Sequence, residues 1–324
     1  MIFDEIQKGI QFVVNRSRNV HLNKEKLAEI KKKVIKTVSE SDFFYQPELL
    51  DFPKNLTLEE RLMFVFIWSL GDFCYWPSGG WSKTFQGQNY QESKALQACY
   101  HEALMQGIDI LNPAVIEGFS LDEYEQIVGN DTPCGLCFNE WRLRFIQAGV
   151  RRLRQKYNGS VLSFLSSCHF DAEKMVEVLS TFVGMDDRHM YWDEPVLFLE
   201  KVQRMVCRLD EIYAIETGVH FVNIDKVITG ANDKTACALR QLGVVSFSDD
   251  LKKHVTSETG VADGSESEVE IRAVSAHAMR HLRQAVQDKV PFSSAGHLDE
   301  ILWMMAQSQG DDNIKRHKTL TWFY

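Results

Sequence analysis

The chain lacks any window of about eighteen consecutive apolar residues, the length a membrane-spanning helix needs. Its longest near-continuous apolar run, Leu62–Leu70, has the length of a core helix. It also lacks a basic face. The 36 Lys and Arg against 45 Asp and Glu leave a net charge of −9, spread along the chain. That balance excludes a protein that grips long nucleic acid by its phosphates, while leaving room for one small anionic ligand in a local basic pocket. The acidic start Met1-Ile-Phe-Asp-Glu-Ile has neither the basic nor the apolar region of a secretory signal. The seven cysteines form an odd, irregularly spaced set, which fits a reduced, cytoplasmic protein better than a disulfide framework. Repeats and low-complexity segments are missing. So are a Walker loop, a dinucleotide fingerprint, a nucleophile elbow and a zinc-protease motif.

Helical signals dominate what is present. Leu27, Ile30, Val34, Ile35 and Val38 recur at helix spacing after Asn23. Thr57-Leu-Glu-Glu60 and Ser120-Leu-Asp-Glu123 are capping boxes, the first opening a helix to about Leu70. Further helices are expected at Glu92–Gln106, Asn139–Tyr157, Asp171–Val183, Pro195–Ile215, Asp249–Thr256, Ser265–Asp288 and Leu298–Gln307. Trp76–Tyr90, with Pro77, Gly79, Gly80 and Gly87, reads as a small hairpin or an irregular loop, and Arg188–Trp192 as a short strand. Ser257–Ser267 reads as an exposed loop. The pattern predicts one mainly α domain over residues 1–324, with a helical N-terminal lobe over 1–110 as an option and at most a small β hairpin.

Within this helical frame one polar stretch stands apart. His220–Ile228 is extended, a short helix runs from Asp233 to Gly243, and the turn Thr229-Gly-Ala-Asn-Asp-Lys234 puts an amide, a carboxylate and an amine side by side. Other polar features have ordinary explanations. Cys134-Gly-Leu-Cys137 is a lone CxxC beside Pro133, a turn rather than a zinc site. His277 and His281 share a helix face without the HExxH glutamate, which reads as packing or surface. Arg142, Arg144, Arg151, Arg152 and Arg154 read as a solvated helix face, with a phosphate pocket as the alternative. Asp72-Phe-Cys-Tyr-Trp76 reads as core aromatics that are also suited to stacking a planar base.

Several segments, in order, resemble the queuosine salvage protein family, the queuosine 5′-monophosphate N-glycosylase/hydrolases. The most specific are Leu242-Gly-Val-Val-Ser-Phe-Ser-Asp-Asp-Leu251 and Gly264-Ser-Glu-Ser-Glu-Val-Glu-Ile-Arg-Ala273. Ser17–Val20, Asp72–Trp76, Ala103–Ile110, Asn130–Thr132, Lys156–Ser160, Leu298–Trp303 and His317–Tyr324 accompany them, so the likeness runs from about Asn15 to Tyr324. The resemblance implies an all-helical fold similar to helix-hairpin-helix DNA glycosylases. It also implies hydrolysis of the N-glycosidic bond of queuosine 5′-monophosphate, releasing queuine for transfer RNA, with no metal and no organic cofactor. The partner it implies is a small nucleotide or nucleobase, with no membrane.

In that family the turn reads Phe-Ala-Asp-Tyr-Arg, its Asp catalytic, and a helix start reads Phe-Tyr-Lys-Arg-Ala-Gln. Without gaps these fall on Gly230–Lys234 and Phe198–Gln203, placing Asn232 at the catalytic Asp and Glu200 at the Lys. A shift of one residue at both places restores a pair, Lys201 and Asp233. The catalytic candidates are therefore Asn232, Asp233, Glu200 and Lys201. Phe73, Tyr75 and Trp76 are candidates for stacking the base, Glu270 and Asp299 for accepting hydrogen bonds from it, and Lys234, Arg272 and His317 for the phosphate or supporting roles. Three functions follow: a divergent nucleotide N-glycosylase in which Asp233 replaces the missing acid, a non-catalytic binder of a modified base or nucleotide, or a glycosylase for another nucleotide or a damaged DNA base, the last disfavoured for DNA by the acidic net charge.

Overall fold

The computed structural model describes residues 1–40, 56–76, 81–129, 135–257, 259–286, 295–308 and 314–324. The chain opens with α1 (Ile2–Val14), β1 (Val20–Leu22), α2 (Lys24–Glu40) and α3 (Leu58–Gly71). A hairpin of β2 (Ser82–Phe85) and β3 (Gln88–Gln91) leads into α4 (Glu92–Met105), α5 (Pro113–Glu117) and α6 (Leu121–Ile127). Next come α7 (Asn139–Tyr157), α8 (Val161–Ser167) and α9 (Ala172–Leu179), then a second hairpin, β4 (Arg188–Tyr191) and β5 (Glu194–Leu197). The last third holds α10 (Glu200–Thr217), α11 (Asp233–Gln241), β6 (Val245–Phe247), α12 (Asp249–Thr256), α13 (Glu266–Val286) and α14 (Ala295–Gln307). The described residues are thus mainly helical, with three two-stranded antiparallel sheets.

Local chemistry explains most boundaries. Both expected capping boxes form, Thr57 accepting from the Glu60 amide and Ser120 from that of Glu123. The hairpin expected within Trp76–Tyr90 is β2–β3, with Gln86 and Gly87 both at positive φ in its turn; Pro77, Gly79 and Gly80 lie outside the described residues. Arg188–Trp192 does hold a strand, but its partner was expected to be helix. Pro195 lies in β5 opposite Met190, where no ladder donor is needed from it, and Trp192 and Asp193 take the two positive φ values of a tight hairpin turn. The helix expected from Pro195 therefore begins at Glu200, after Leu199 at φ 51°. Asp171 caps a shorter helix than expected, ending at Leu179. The helix expected over Ser265–Asp288 is α13, and Asp288 lies outside the described residues. Neither α1 nor the pairing of β1 with β6 was anticipated.

Two apolar cores meet along α13. Phe3, Ile6, Phe66, Trp68, Val150, Phe164, Met205 and Leu209 belong to the larger. Leu27, Ile30, Leu239, Val245, Leu282 and Leu302 belong to the smaller. Val269, Ala273 and Ala276 of α13 face the first, and Ile271, Val274 and Ala278 face the second. A helix apolar on both sides is buried. Hence the polar side chains α13 carries between those faces, Glu268, Glu270 and Arg272, are buried as well and must find protein partners.

Glu270 finds them at the N-terminal segment. Its carboxylate accepts from the backbone amides of Arg18 (3.0 Å) and Asn19 (2.7 Å) and from the Tyr191 hydroxyl (2.9 Å). Replacing Glu270 by Ala strands three donors, at a cost of about 3 kcal/mol. Urea denaturation of Glu270→Ala should show that loss, with faster hydrogen exchange at the Arg18 and Asn19 amides.

Candidate active site

The turn before α11 is held from both sides. Glu200, the first residue of α10, is fully buried. Its carboxylate accepts from the amides of Gly230 (3.3 Å) and Ala231 (3.0 Å) and from the Asn232 side chain (2.8 Å). Asn232 is the N-cap of α11, its Oδ1 accepting from the Thr235 amide at 2.8 Å. Glycine is required one step earlier. Gly230 has φ 100°, and a Cβ there would lie 2.4 Å from Met279 Cγ. Glu200 and Asn232, two of the positions at which the ungapped register departs, are thus in direct contact.

From the other side comes Arg272, with no exposed surface. Its Nε donates to the Ala231 carbonyl (3.0 Å), and its two Nη atoms clasp both oxygens of Asp187 at 2.9 and 2.5 Å. Asp187 in turn accepts from the Glu200 amide at 3.1 Å. Burial opposes ionisation of Asp187, but Arg272 and His189 beside it outweigh that and hold its carboxyl down at about 2. Burial likewise disfavours the Arg272 charge, and Asp187 and Glu268 more than restore it. Glu268 lies 3.6 Å from the guanidinium and also accepts from the Tyr324 hydroxyl at 3.1 Å.

Lys201, next to Glu200, has the opposite circumstances. It is buried and its ammonium has no hydrogen-bond partner. The nitrogen sits 4.6 Å from the centre of the Phe73 ring and 5.1 Å from that of Phe145. Burial, reinforced by Arg142, pushes its pKa down to about 7, against the pull of Asp187 and Asp72. Arg142 was expected to be solvated. It is instead fully buried, because carbonyls some seventy residues away need its donors: it donates to those of Gly71, Phe73 and Cys74, and its guanidinium lies 4.3 Å from the Phe73 ring centre. Phe73 thus carries two cations on its ring and is itself buried.

The remaining candidates spread outward. Asp233 opens α11 with its side chain 31% exposed and pairs with Arg316 at 3.4 Å; Arg316 also grips Glu92. Asp299, from α14, accepts from Thr235 Oγ1 at 3.0 Å, while its Oδ2 is buried without a partner. Burial, helped by Glu200 and resisted by Arg204, pushes the Asp299 carboxyl up to about 7. His317 is buried 3.3 Å from the Tyr324 hydroxyl, and burial with Arg240, Arg272 and Arg316 pushes it down to about 3. Tyr75 donates to Asp72 (2.7 Å) and stacks on Trp81. Trp76 faces Lys318, Lys234 faces Glu300 and Trp303, and Glu270 is committed to the N-terminal segment.

The structure therefore gathers Glu200, Lys201, Asn232, Arg272, Phe73 and Asp299 at the start of α10 and α11, leaves Asp233 and His317 on the C-terminal side, and turns Trp76, Lys234 and Glu270 elsewhere. Reading the sequence missed Asp187, Arg142, Phe145 and Arg316. Glu268 and Tyr324 lay inside the segments that carry the family resemblance. A possible metal trio exists, since His189, Asp263 and Glu268 have ligand atoms within 4.8 Å of one another. However, His189 Nε2 lies 3.1 Å from both Asp187 and the Arg272 guanidinium, so the ion network already uses two of the three. An open groove lined by Leu58, Leu162, Phe170 and Tyr213 contains none of these groups.

Comparison with known proteins supplies the context for this geometry. Residues 52–324 match the model of the family described as queuosine salvage protein. A queuosine 5′-phosphate N-glycosylase/hydrolase of Schizosaccharomyces pombe is 26% identical over 264 aligned positions, covering 76% of this chain and 75% of its own. The proteins of the same name from Nematostella vectensis and Dictyostelium discoideum are 23% and 24% identical, covering 97% and 98% of this chain and 96% and 98% of their own.

The Lys201 environment has a measurable signature. Its folded-state pKa of about 7 lies below the ordinary 10.5, so between those values the unfolded chain binds the extra proton. Stability contributed by this residue therefore rises with pH through that window, by up to ~1.4 kcal/mol per pH unit. Denaturation of wild type and Lys201→Met from pH 7.5 to 9 should show the stability of the wild type gaining on that of the variant.

Proposed function

Because the chain belongs to the queuosine salvage protein family, we propose that it hydrolyses the N-glycosidic bond of queuosine 5′-phosphate and releases queuine for transfer RNA salvage in the cytoplasm. The observation that carries this reading is two buried, unpartnered polar atoms of opposite sense, Lys201 Nζ next to Glu200 at the start of α10 and Asp299 Oδ2 beside Thr235 in the first turn of α11. An unsatisfied buried polar atom costs about 1–3 kcal/mol, and more when charged. A ligand presenting both an acceptor and a donor relieves both. A nucleotide with a guanine-like base has carbonyl and phosphate oxygens to accept from the lysine and ring N–H groups to donate to the aspartate.

The reaction breaks the C1′–N bond, leaves the electron pair on the base and builds positive charge on the sugar. Water adds to C1′ and loses a proton. A carboxylate at the sugar stabilises the charge and takes that proton, which then passes to the ring nitrogen of the departing base so that neutral queuine is released and the carboxylate is restored. Glu200 is ill-suited, because its oxygens are engaged by Gly230, Ala231 and Asn232. Asn232 has the geometry without the charge. Asp233, at the end of the same turn and still partly exposed, is the carboxylate we assign to this step. Queuine is a 7-deazaguanine with no N7 to protonate, so the departing base is held by its polar edge, where Asp299 and Lys201 act. Arg316 pairs with Asp233, and we assign it, with the next residue His317, to the phosphate side.

Purified protein incubated with queuosine 5′-phosphate should release queuine, measured by mass spectrometry. Asp233→Asn should lower kcat by about 10²-fold or more with KM little changed. Asp299→Ala and Lys201→Met should act mainly by raising KM. A folded wild type that binds the nucleotide in calorimetry and releases no base would instead establish the binder reading.

A further inference from the structure

Two thiols meet behind the Lys201 platform. Cys74 Sγ and Cys137 Sγ lie 3.9 Å apart. Cys137 Sγ also faces the Cys74 carbonyl at 3.0 Å and the Trp76 carbonyl at 3.3 Å. The pair is held in register by one side chain, since Arg142 donates from Nη2 to the Cys74 carbonyl (2.8 Å) and from Nε to the Cys137 carbonyl (3.2 Å). Cys74 is buried, while Cys137 is half-buried. The Cys74 backbone is already in an uncommon conformation, φ 40°.

We propose that Cys74 and Cys137 are a reversible disulfide pair whose oxidation disables the site. Closing a disulfide to about 2.05 Å draws the sulfurs together by ~1.9 Å. The entropy of bringing the two segments together is already spent in the fold, because Arg142 holds both. Cys74 is flanked by Phe73, under the Lys201 ammonium, and Tyr75, bonded to Asp72. Pulling Cys74 toward Cys137 moves both neighbours.

The chemistry balances with glutathione disulfide as oxidant. Cys137 thiolate attacks one of its sulfurs and expels one glutathione thiolate. Cys74 thiolate then attacks Cys137 Sγ and expels the second. Two electrons pass to the glutathione sulfurs, and the two protein protons end on two glutathione thiols. The hydrogen bond with Cys137, and then burial, raise the Cys74 thiol pKa, and the thiolate that exchange requires is favoured by alkaline buffer.

The disabling effect rests on the proposed hydrolysis; the pairing does not. The folded full chain is incubated with excess glutathione disulfide in mildly alkaline buffer, alkylated and digested without reduction, and the same sample is assayed for queuine release. We expect a Cys74–Cys137 linked peptide, two fewer alkylated thiols and a fall in kcat/KM of about 10²-fold, as for a ~1 Å misplacement, reversed by dithiothreitol. Cys134→Ser should cross-link as the wild type does, and Cys137→Ser should keep its activity under oxidant. A Cys134–Cys137 link, a stable glutathione adduct on Cys137, or a Cys74–Cys137 link with unchanged turnover would each overturn the proposal. If the reduced protein releases no base at all, the hydrolysis reading fails, and peptide mapping alone decides the pairing.

Discussion

The buried guanidinium of Arg272 is the interaction on which the rest depends. A cation with no exposed surface is costly unless its donors and charge are matched, and removing one partner of such a group costs about 3–5 kcal/mol. Here the match is made by residues distant in sequence. Asp187 sits just before the β4–β5 hairpin, Ala231 lies in the turn before α11, and Glu268 lies one helical turn earlier on α13. Asp187 also takes the Glu200 amide, so the same ion pair fixes the start of α10. Glu200 then fixes the turn from the far side. The start of two helices and the seam between two cores are thereby set by one charge-compensated cluster.

That arrangement divides the polar groups at the site by availability. Glu200, Asn232, Asp187 and Arg272 are bonded to protein and hold shape. Lys201 and Asp299 each keep a buried atom with no partner, and both have pKa values pushed toward 7 by burial. Perturbed groups with unfilled bonding capacity are where a ligand gains most. In this chain the contact between Glu200 and Asn232 holds the turn, and the partly exposed carboxylate one residue later, Asp233, is paired with Arg316.

Local features were readable from the sequence, and long-range ones were not. The capping boxes at Thr57 and Ser120 depend on neighbours a few residues away. Pro195 misled because proline opens helices as readily as it occupies a position in a short strand that needs no ladder donor. The spacing of Phe3, Ile6, Ile10 and Val13 is the helical signature of α1. Arg142 resembled its solvated neighbours Arg144 and Arg151, and only the fold brings the Gly71 and Phe73 carbonyls to it. Asp187 carried no periodic or motif signal at all. At the site, the family resemblance pointed to the turn at Gly230–Lys234, whereas the contacts of Glu200 and Phe73 needed the fold.

The central claim is that the Glu200 carboxylate holds the turn in its shape. Hydrogen exchange at the Gly230 and Ala231 amides, compared between wild type and Glu200→Gln, tests it most directly. Loss of one carboxylate oxygen as an acceptor should lower protection at these two amides by about tenfold or more, equivalent to ~1.4 kcal/mol, while amides in the middle of α10 change far less. Unchanged protection at Gly230 and Ala231 in a folded variant would contradict the account.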